Sequence, residues 1–157
     1  MTNGKTTEGM AFVPAETAAK SDEKKRQRRT LAQLQVYRDT MNLEYLATLM
    51  LRTAPKRLTK FFDVLLVTID ETAKSIGLAD VTRDSETRMW YQDMARIMAQ
   101  DVLAKFDILH KLGVMSTDEW KKTKALAKGV VAQLIAWRDY TRNQGVNSRT
   151  ETNNVKL

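Results

Sequence analysis

Asp107 and His110 stand three positions apart, so in a helix they share one face and could act together on a metal or a proton. A di-metal centre inside a helical bundle needs two Glu-x-x-His motifs and further inward carboxylates. This chain has one histidine and no cysteine. Thiolate zinc sites, disulfides and cysteine nucleophiles are therefore excluded. His110 reads instead as a near-surface residue at a helix C-terminus, where partial positive charge suits the helix dipole. Asp63, Asp93, Asp101 and Asp107 mostly read as solvated acids, and Asp70 as a partly buried partner for an arginine. No catalytic residue, metal or cofactor is expected, and the protein reads as a non-enzyme.

The cations carry more information. Arg52, Lys56, Arg57 and Lys60 surround a turn containing Pro55. Three of them fall in the first turns of the following helix, where the dipole disfavours positive charge by about 0.3–1 kcal/mol each. Placement against local preference suits phosphate held jointly by side chains and helix-end amides; solubility, or pairing with Asp63 or a neighbouring subunit, is the alternative. Lys121, Lys124 and Lys128 recur at i, i+3 and i+7 with Lys122 beside them, which places a basic stripe on one helix face. Such a stripe is either a solvated face or a phosphate-tracking strip. A third group, Lys24, Lys25, Arg26, Arg28 and Arg29, puts five cations in six residues, the pattern of an arm that binds nucleic acid through counterion release or of a hydrophilic leader.

These groups need elements to position them. The 157 residues are 43% hydrophobic and 29% charged, with a net charge of +7 but only 6 Gly and 2 Pro. So few turn residues argue against a β-rich domain and for a few long helices. The expected organisation is a flexible basic arm over residues 1–29, a four-helix bundle over 30–145 and a flexible polar tail over 146–157. The arm carries 7 basic and 4 acidic side chains, and the bundle region 17 and 14, so neither is strongly basic by itself. No apolar run reaches the length of a membrane span or a signal peptide, which predicts a soluble, cytoplasmic protein without membrane contact.

Helix one is predicted over about 30–52, with Leu34, Tyr37, Met41, Tyr45, Thr48 and Leu49 on its core side. Pro55 opens helix two, whose stripe is Leu58, Phe62, Leu65, Ile69, Ala73 and Ile76, with Gly77 as C-cap. After a polar loop over 78–84, Asp84 or Ser85 caps helix three. Its stripe, Tyr91, Met94, Met98, Val102, Phe106, Leu109 and Leu112, ends at Gly113. Ser116-Thr117-Asp118-Glu119 forms a capping box before helix four, predicted over about 117–142 with Trp120, Ala127, Val130, Val131, Leu134 and Trp137 inward. Short connections between long helices imply an all-α, up-down antiparallel four-helix bundle. A second apolar strip on helix one (Leu43, Leu46, Met50) and another on helix three (Trp90, Ile97, Ile108) exceed what one bundle needs and suggest contacts between copies.

The Ala54-Pro55-Lys56 turn, the Leu-Ile-Asp pattern of helix two ending at Ile76-Gly77, the Leu109-x-x-Leu112-Gly113-x-x-Ser116 junction and Leu134-x-x-Trp137 have a precedent. Over residues 37–143 the chain resembles the four-helix-bundle family that includes Avd, the accessory variability determinant of diversity-generating retroelements, and related proteins encoded in ribosomal RNA intervening sequences. The resemblance implies a basic homopentamer that binds a reverse transcriptase and its template RNA and supports error-prone copying without itself being catalytic; the basic clusters suit DNA as well as RNA. It carries the family's basic character onto Lys56, Arg57, Lys60 and the stripe from Lys121 to Lys128. The alternatives are a protein-interaction scaffold and an intervening-sequence protein with no reverse transcriptase partner.

Overall fold

The computed structural model describes the backbone of residues 35–154 and the side chains of residues 35–145, which belong to one compact unit. The five cations from Lys24 to Arg29 and the start of helix one lie outside the described residues. Helix α1 occupies 35–53 of the described chain. A 3-10 turn at Lys56–Leu58 leads into α2 (Thr59–Val81), then α3 (Ser85–Lys111) and α4 (Thr117–Asn154). Among the described residues there is no strand. No described helix is long and apolar enough to cross a membrane.

Local signals set most boundaries. Pro55 sits at φ −58° and ψ 138°, extended, so it precedes the 3-10 turn and does not open α2 as predicted. The Asp84 carboxylate accepts from the Thr87 amide at 2.7 Å and caps α3. At the other end of α3, Gly113 takes φ +72°. Its N–H donates to the His110 carbonyl, and that of Val114 to the Leu109 carbonyl, both at 3.0 Å. That pair of bonds is a Schellman closure, which needs the left-handed residue that glycine supplies most cheaply. Ser116 and Glu119 then satisfy each other's amides, at 2.8 Å and 3.2 Å, as a capping box.

Two ends differ from expectation. Gly77 does not cap α2, because the buried stripe continues through Ile76 to Ala79 and holds the helix to Val81. Only Thr82–Asp84 remain as connection. There the Arg88 guanidinium donates from Nε to the Thr82 carbonyl at 2.8 Å, satisfying an acceptor just past the helix end. Helix α4 likewise runs past Arg142 to Asn154.

The helices form an up-down antiparallel bundle, and side-chain bonds mark the register of α3 on α4. The α3 partner steps back from Asp107 through Asp93 to Gln92 while the α4 partner steps forward from Lys124 through Arg138 to Thr141. α2 packs along α3 and not on α4, so α2 and α4 are diagonal. Gln133 on α4 donates to Asp39 on α1 at 2.8 Å and ties the remaining pair.

The core is centred on Phe62, Leu65 and Ile69 of α2, Val102, Phe106 and Leu109 of α3, and Ala127, Val130 and Leu134 of α4. On α1 the two apolar strips exchange roles. Val36, Thr40, Leu43 and Ala47 face inward, with Leu43 only 2% exposed, whereas Tyr37, Tyr45 and Leu49 face out, Tyr45 being 64% exposed. Leu43 is therefore a core residue, and Leu46 and Met50 are half-buried beside it. The inward strip is the slimmer one, so α1 approaches its neighbours closely; the Thr40 hydroxyl donates to the Val36 carbonyl at 2.8 Å, which makes its burial affordable. On α3 the inward stripe likewise begins with Gln92, Ala95 and Ala99. Tyr91, Met94 and Met98 flank it, and Leu112 is exposed.

Replacing Leu43 by Ala should cost about 2–5 kcal/mol by cavity formation. Tyr45→Ala should change stability by no more than about 0.5 kcal/mol. Urea unfolding followed by circular dichroism measures both, and equal effects would contradict the assignment of the α1 strips.

Candidate nucleic-acid interface

Up-down topology brings the turn before α2 and the turn before α4 to the same end of the bundle. Arg52, Lys56, Arg57 and Lys60 arrive there from the first turn, and Lys121, Lys122, Lys124 and Lys128 from the first turns of α4. All but Lys124 are exposed. Lys111, which the sequence reading did not single out, joins them from the last turn of α3, also exposed. Its only local signal was a cation before the capping glycine, where the dipole alone explains it.

Pairing is more frequent toward the opposite end, although Arg38, Arg83 and Arg88 there make no ion pair among the described residues. Toward the opposite end, Lys74 meets Asp70 and Glu71 at 3.0 Å and 2.8 Å, Arg138 and Arg96 meet Asp93 at 2.8 Å and 3.4 Å, and Arg142 meets Asp139 at 3.0 Å. Lys74 is pushed up to about 12, first by its hydrogen bond to Glu71 and then by the bond to Asp70. Asp70 is thus exposed and pairs with an exposed lysine, and is not, as predicted, partly buried with an arginine. Lys105 pairs with Asp101. Among the described residues, Arg52, Lys56, Arg57, Lys60, Lys111, Lys121, Lys122 and Lys128 make no ion pair. Two of the acids at their end are already engaged: Glu119 caps α4, which holds its carboxyl below the usual range through the Ser116 amide and hydroxyl, and Asp107 is bound as described below.

The start of α2 has no side-chain cap and no acid in its first turn. The 3-10 turn uses two amides itself, Leu58 N–H donating to the Pro55 carbonyl at 2.9 Å and Thr59 N–H to that of Lys56. Phosphate held here would accordingly rely on Lys56, Arg57 and Lys60 more than on helix-end amides.

Lys124 leaves the predicted stripe. Its ammonium lies 3.2 Å from Asp107 Oδ1 and 4.5 Å from the centre of the Trp120 ring. The Trp120 indole N–H donates to the same Asp107 oxygen at 2.7 Å, and His110 stacks on the indole at 4.5 Å with the planes 13° apart. This knot bolts the end of α3 to the start of α4, and holds the α4 cations in a fixed relation to Lys111. It depresses the Asp107 carboxyl below its usual range, first through Trp120 and then through Lys124, against some desolvation. Among the described residues, no group of three or more His, Asp or Glu side chains is placed to hold a metal ion.

The predicted contact residues on α3, Trp90, Ile97 and Ile108, are exposed. With α2 and α4 diagonal, α1 and α3 are diagonal as well, so this strip and the α1 strip of Tyr37, Tyr45 and Leu49 look out on opposite sides. No protein-family model matches the chain, and no curated protein matches it.

A depressed carboxyl stabilises the fold fully above its unfolded value, about 3.9, and that contribution is lost as pH falls through the lower folded value. Wild type should therefore exceed Asp107→Asn in stability at pH 6–7, and the gap should close as pH falls below about 4. Urea midpoints across that range measure it; a gap independent of pH would contradict the Asp107 contacts.

Proposed function

We propose that the chain is a non-catalytic, nucleic-acid-binding accessory protein that works in the cytoplasm with a retroelement reverse transcriptase and its template RNA, supporting mutagenic cDNA synthesis. The observation that carries this reading is the collection, among the described residues, of eight cations without an ion pair at one end of the bundle; toward the other end Lys74, Arg96, Arg138 and Arg142 are paired with acids, and Arg38, Arg83 and Arg88 are not. Exposed lysines and arginines that no acid satisfies present a field suited to a polyanion. Lys111 and the α4 cations among them sit on helix ends bolted together by the Asp107–Trp120–Lys124 contacts, so their mutual spacing is preset.

Nothing at this end reads base edges in a fixed geometry, so specificity comes from RNA shape or from the polymerase. The exposed strips on α1 and α3 are different surfaces, so contact between them is head-to-tail, and it closes into a ring such as a pentamer where the rotation per copy allows. A ring would present several basic ends together, and weak phosphate contacts repeated on one particle add as avidity. The partnership with a reverse transcriptase rests on the family resemblance.

RNA affinity should fall steeply with salt. Converting Lys56, Arg57, Lys121 and Lys122 to Gln should flatten the log–log slope by about 3 for single-stranded RNA, at about 0.7 per phosphate contact. Converting Arg138 and Arg142, which are paired, should change it little. Fluorescence anisotropy with labelled RNA at several salt concentrations measures both. Salt-insensitive binding, or no binding at low salt, would overturn the nucleic-acid reading and favour a protein scaffold.

A further inference from the structure

The outermost face of α2 carries a pattern that the bundle does not use. Val64, Val67, Glu71, Lys74, Leu78 and Val81 follow one another at alternating steps of three and four, the spacing of a coiled-coil seam. They point away from the core stripe of Phe62, Leu65, Ile69 and Ile76. The four apolar members are 54%, 60%, 45% and 74% exposed, in chain order. Between them the seam holds one acid and one base, Glu71 and Lys74.

The order of these residues reads the same from both ends once charge is inverted. A twofold axis requires that if residue i meets residue j of the second copy, j also meets i. Laying α2 antiparallel on itself about its midpoint sets Val64 against Val81, Val67 against Leu78, and Glu71 against Lys74 of the second copy, each contact made twice. Apolar residues then meet only apolar ones, and the two central charges meet opposite charges. A parallel pairing would set Glu71 against Glu71 and Lys74 against Lys74.

Gly77 adds an independent observation. It lies within α2, flanking this seam, where glycine costs about 1 kcal/mol relative to alanine. A Cβ there would meet nothing within 4 Å, and its φ is not positive, so neither packing nor backbone conformation within the chain calls for glycine. A glycine beside a helix seam is useful where another backbone approaches closely.

We infer that the outer face of α2 is a twofold interface at which a second copy of this chain docks antiparallel through Val64, Val67, Glu71, Lys74, Leu78 and Val81. The contact goes beyond the nucleic-acid reading and does not depend on it: it uses neither the basic end nor the strips on α1 and α3. A single helix pair over this length, about 26 Å from Val64 to Val81, buries less than a large obligate interface and gives a concentration-dependent association.

The cysteine-free chain allows a direct test. In the nuclease-treated full chain carrying Val67→Cys and Leu78→Cys, mild oxidation should give a covalent dimer on a non-reducing gel, since these positions face each other across the axis. The same two positions are about 16 Å apart along one helix and cannot bond within a chain. Val67→Cys alone should give little dimer. Adding Glu71→Lys to the two-cysteine chain should slow cross-linking on the order of tenfold by setting lysines against lysines, and adding Lys74→Glu as well should restore it. Without added cysteines, a mixture of the Glu71→Lys and Lys74→Glu chains should associate more strongly than either alone in sedimentation velocity. All these side chains are exposed, so circular dichroism should stay unchanged. Equal cross-linking by the one- and two-cysteine chains, or a rate indifferent to Glu71→Lys, would overturn the proposal.

Discussion

Close approach of the helices is the constraint on which this molecule depends. α1 and α3 turn many small residues inward, opposite the larger stripe of α2. Phe62 and Phe106 are completely buried, while Ala47, Ala73, Ala79, Ala95, Ala99 and Ala127 fill the narrower levels. Interiors packed at crystalline density leave no alternative, because a bulky stripe would hold two helices apart and open voids between them. This selection is why α1 hides Leu43 and Ala47 and shows Tyr37 and Tyr45, and why α3 hides Ala95 and Ala99 and leaves Met94 and Met98 at the margin.

Once the core stripes are chosen, everything else is assigned by what they leave over. The antiparallel register carries the residues before α2 and before α4 to one end, where cations without partners accumulate. The same register brings Asp107 beneath Trp120 and Lys124, thirteen and seventeen positions later, so the junction between α3 and α4 is held by a shared carboxylate as well as by the Schellman closure at Gly113 and the capping box at Ser116. Trp120 serves three contacts at once: its N–H satisfies Asp107, its ring receives the Lys124 ammonium, and His110 stacks on it. A rigid junction matters because the field of a basic end depends on charges keeping their spacing. Outward surfaces are the second remainder. The exposed apolar residues of α1, α2 and α3 lie on separate outward faces.

Local chemistry was legible along the chain wherever a few neighbouring residues decide the outcome. Asp84 capping α3, Gly113 closing it and the reciprocal Ser116–Glu119 pair all follow from side chains within three or four residues of the backbone groups they satisfy. The α2 stripe was equally legible, since Phe62, Leu65, Ile69 and Ile76 together outweigh the apolar residues of its outward face. On α1 the pattern was ambiguous, because two apolar strips compete and the aromatic one has the larger transfer free energy. Gly77 misled for a related reason: glycine is a common helix stop, but the buried Ala79 one turn further holds α2 together beyond it. Of the basic residues, the clusters were visible in the sequence, whereas the isolation of Lys124 from its stripe and the addition of Lys111 were not. Each depends on an acid or a helix end brought close from elsewhere in the chain.

The sequence by itself determined the class of fold and the local closures at Asp84, Gly113 and Ser116–Glu119, and the lack of cysteine excludes thiolate and disulfide chemistry. Net charge was also legible, but not its meaning, because the bundle region carries only a small basic excess. Tertiary structure decided where that excess appears. Antiparallel packing gathers Arg52, Lys56, Arg57, Lys60, Lys111, Lys121, Lys122 and Lys128 from separate stretches of the chain at one end, whereas the pairs toward the other end are mostly between residues three or four apart on one helix. It likewise decided which apolar strips are core and which are surface, since that choice rests on how closely backbones can approach, a property of pairs of helices and not of any one of them.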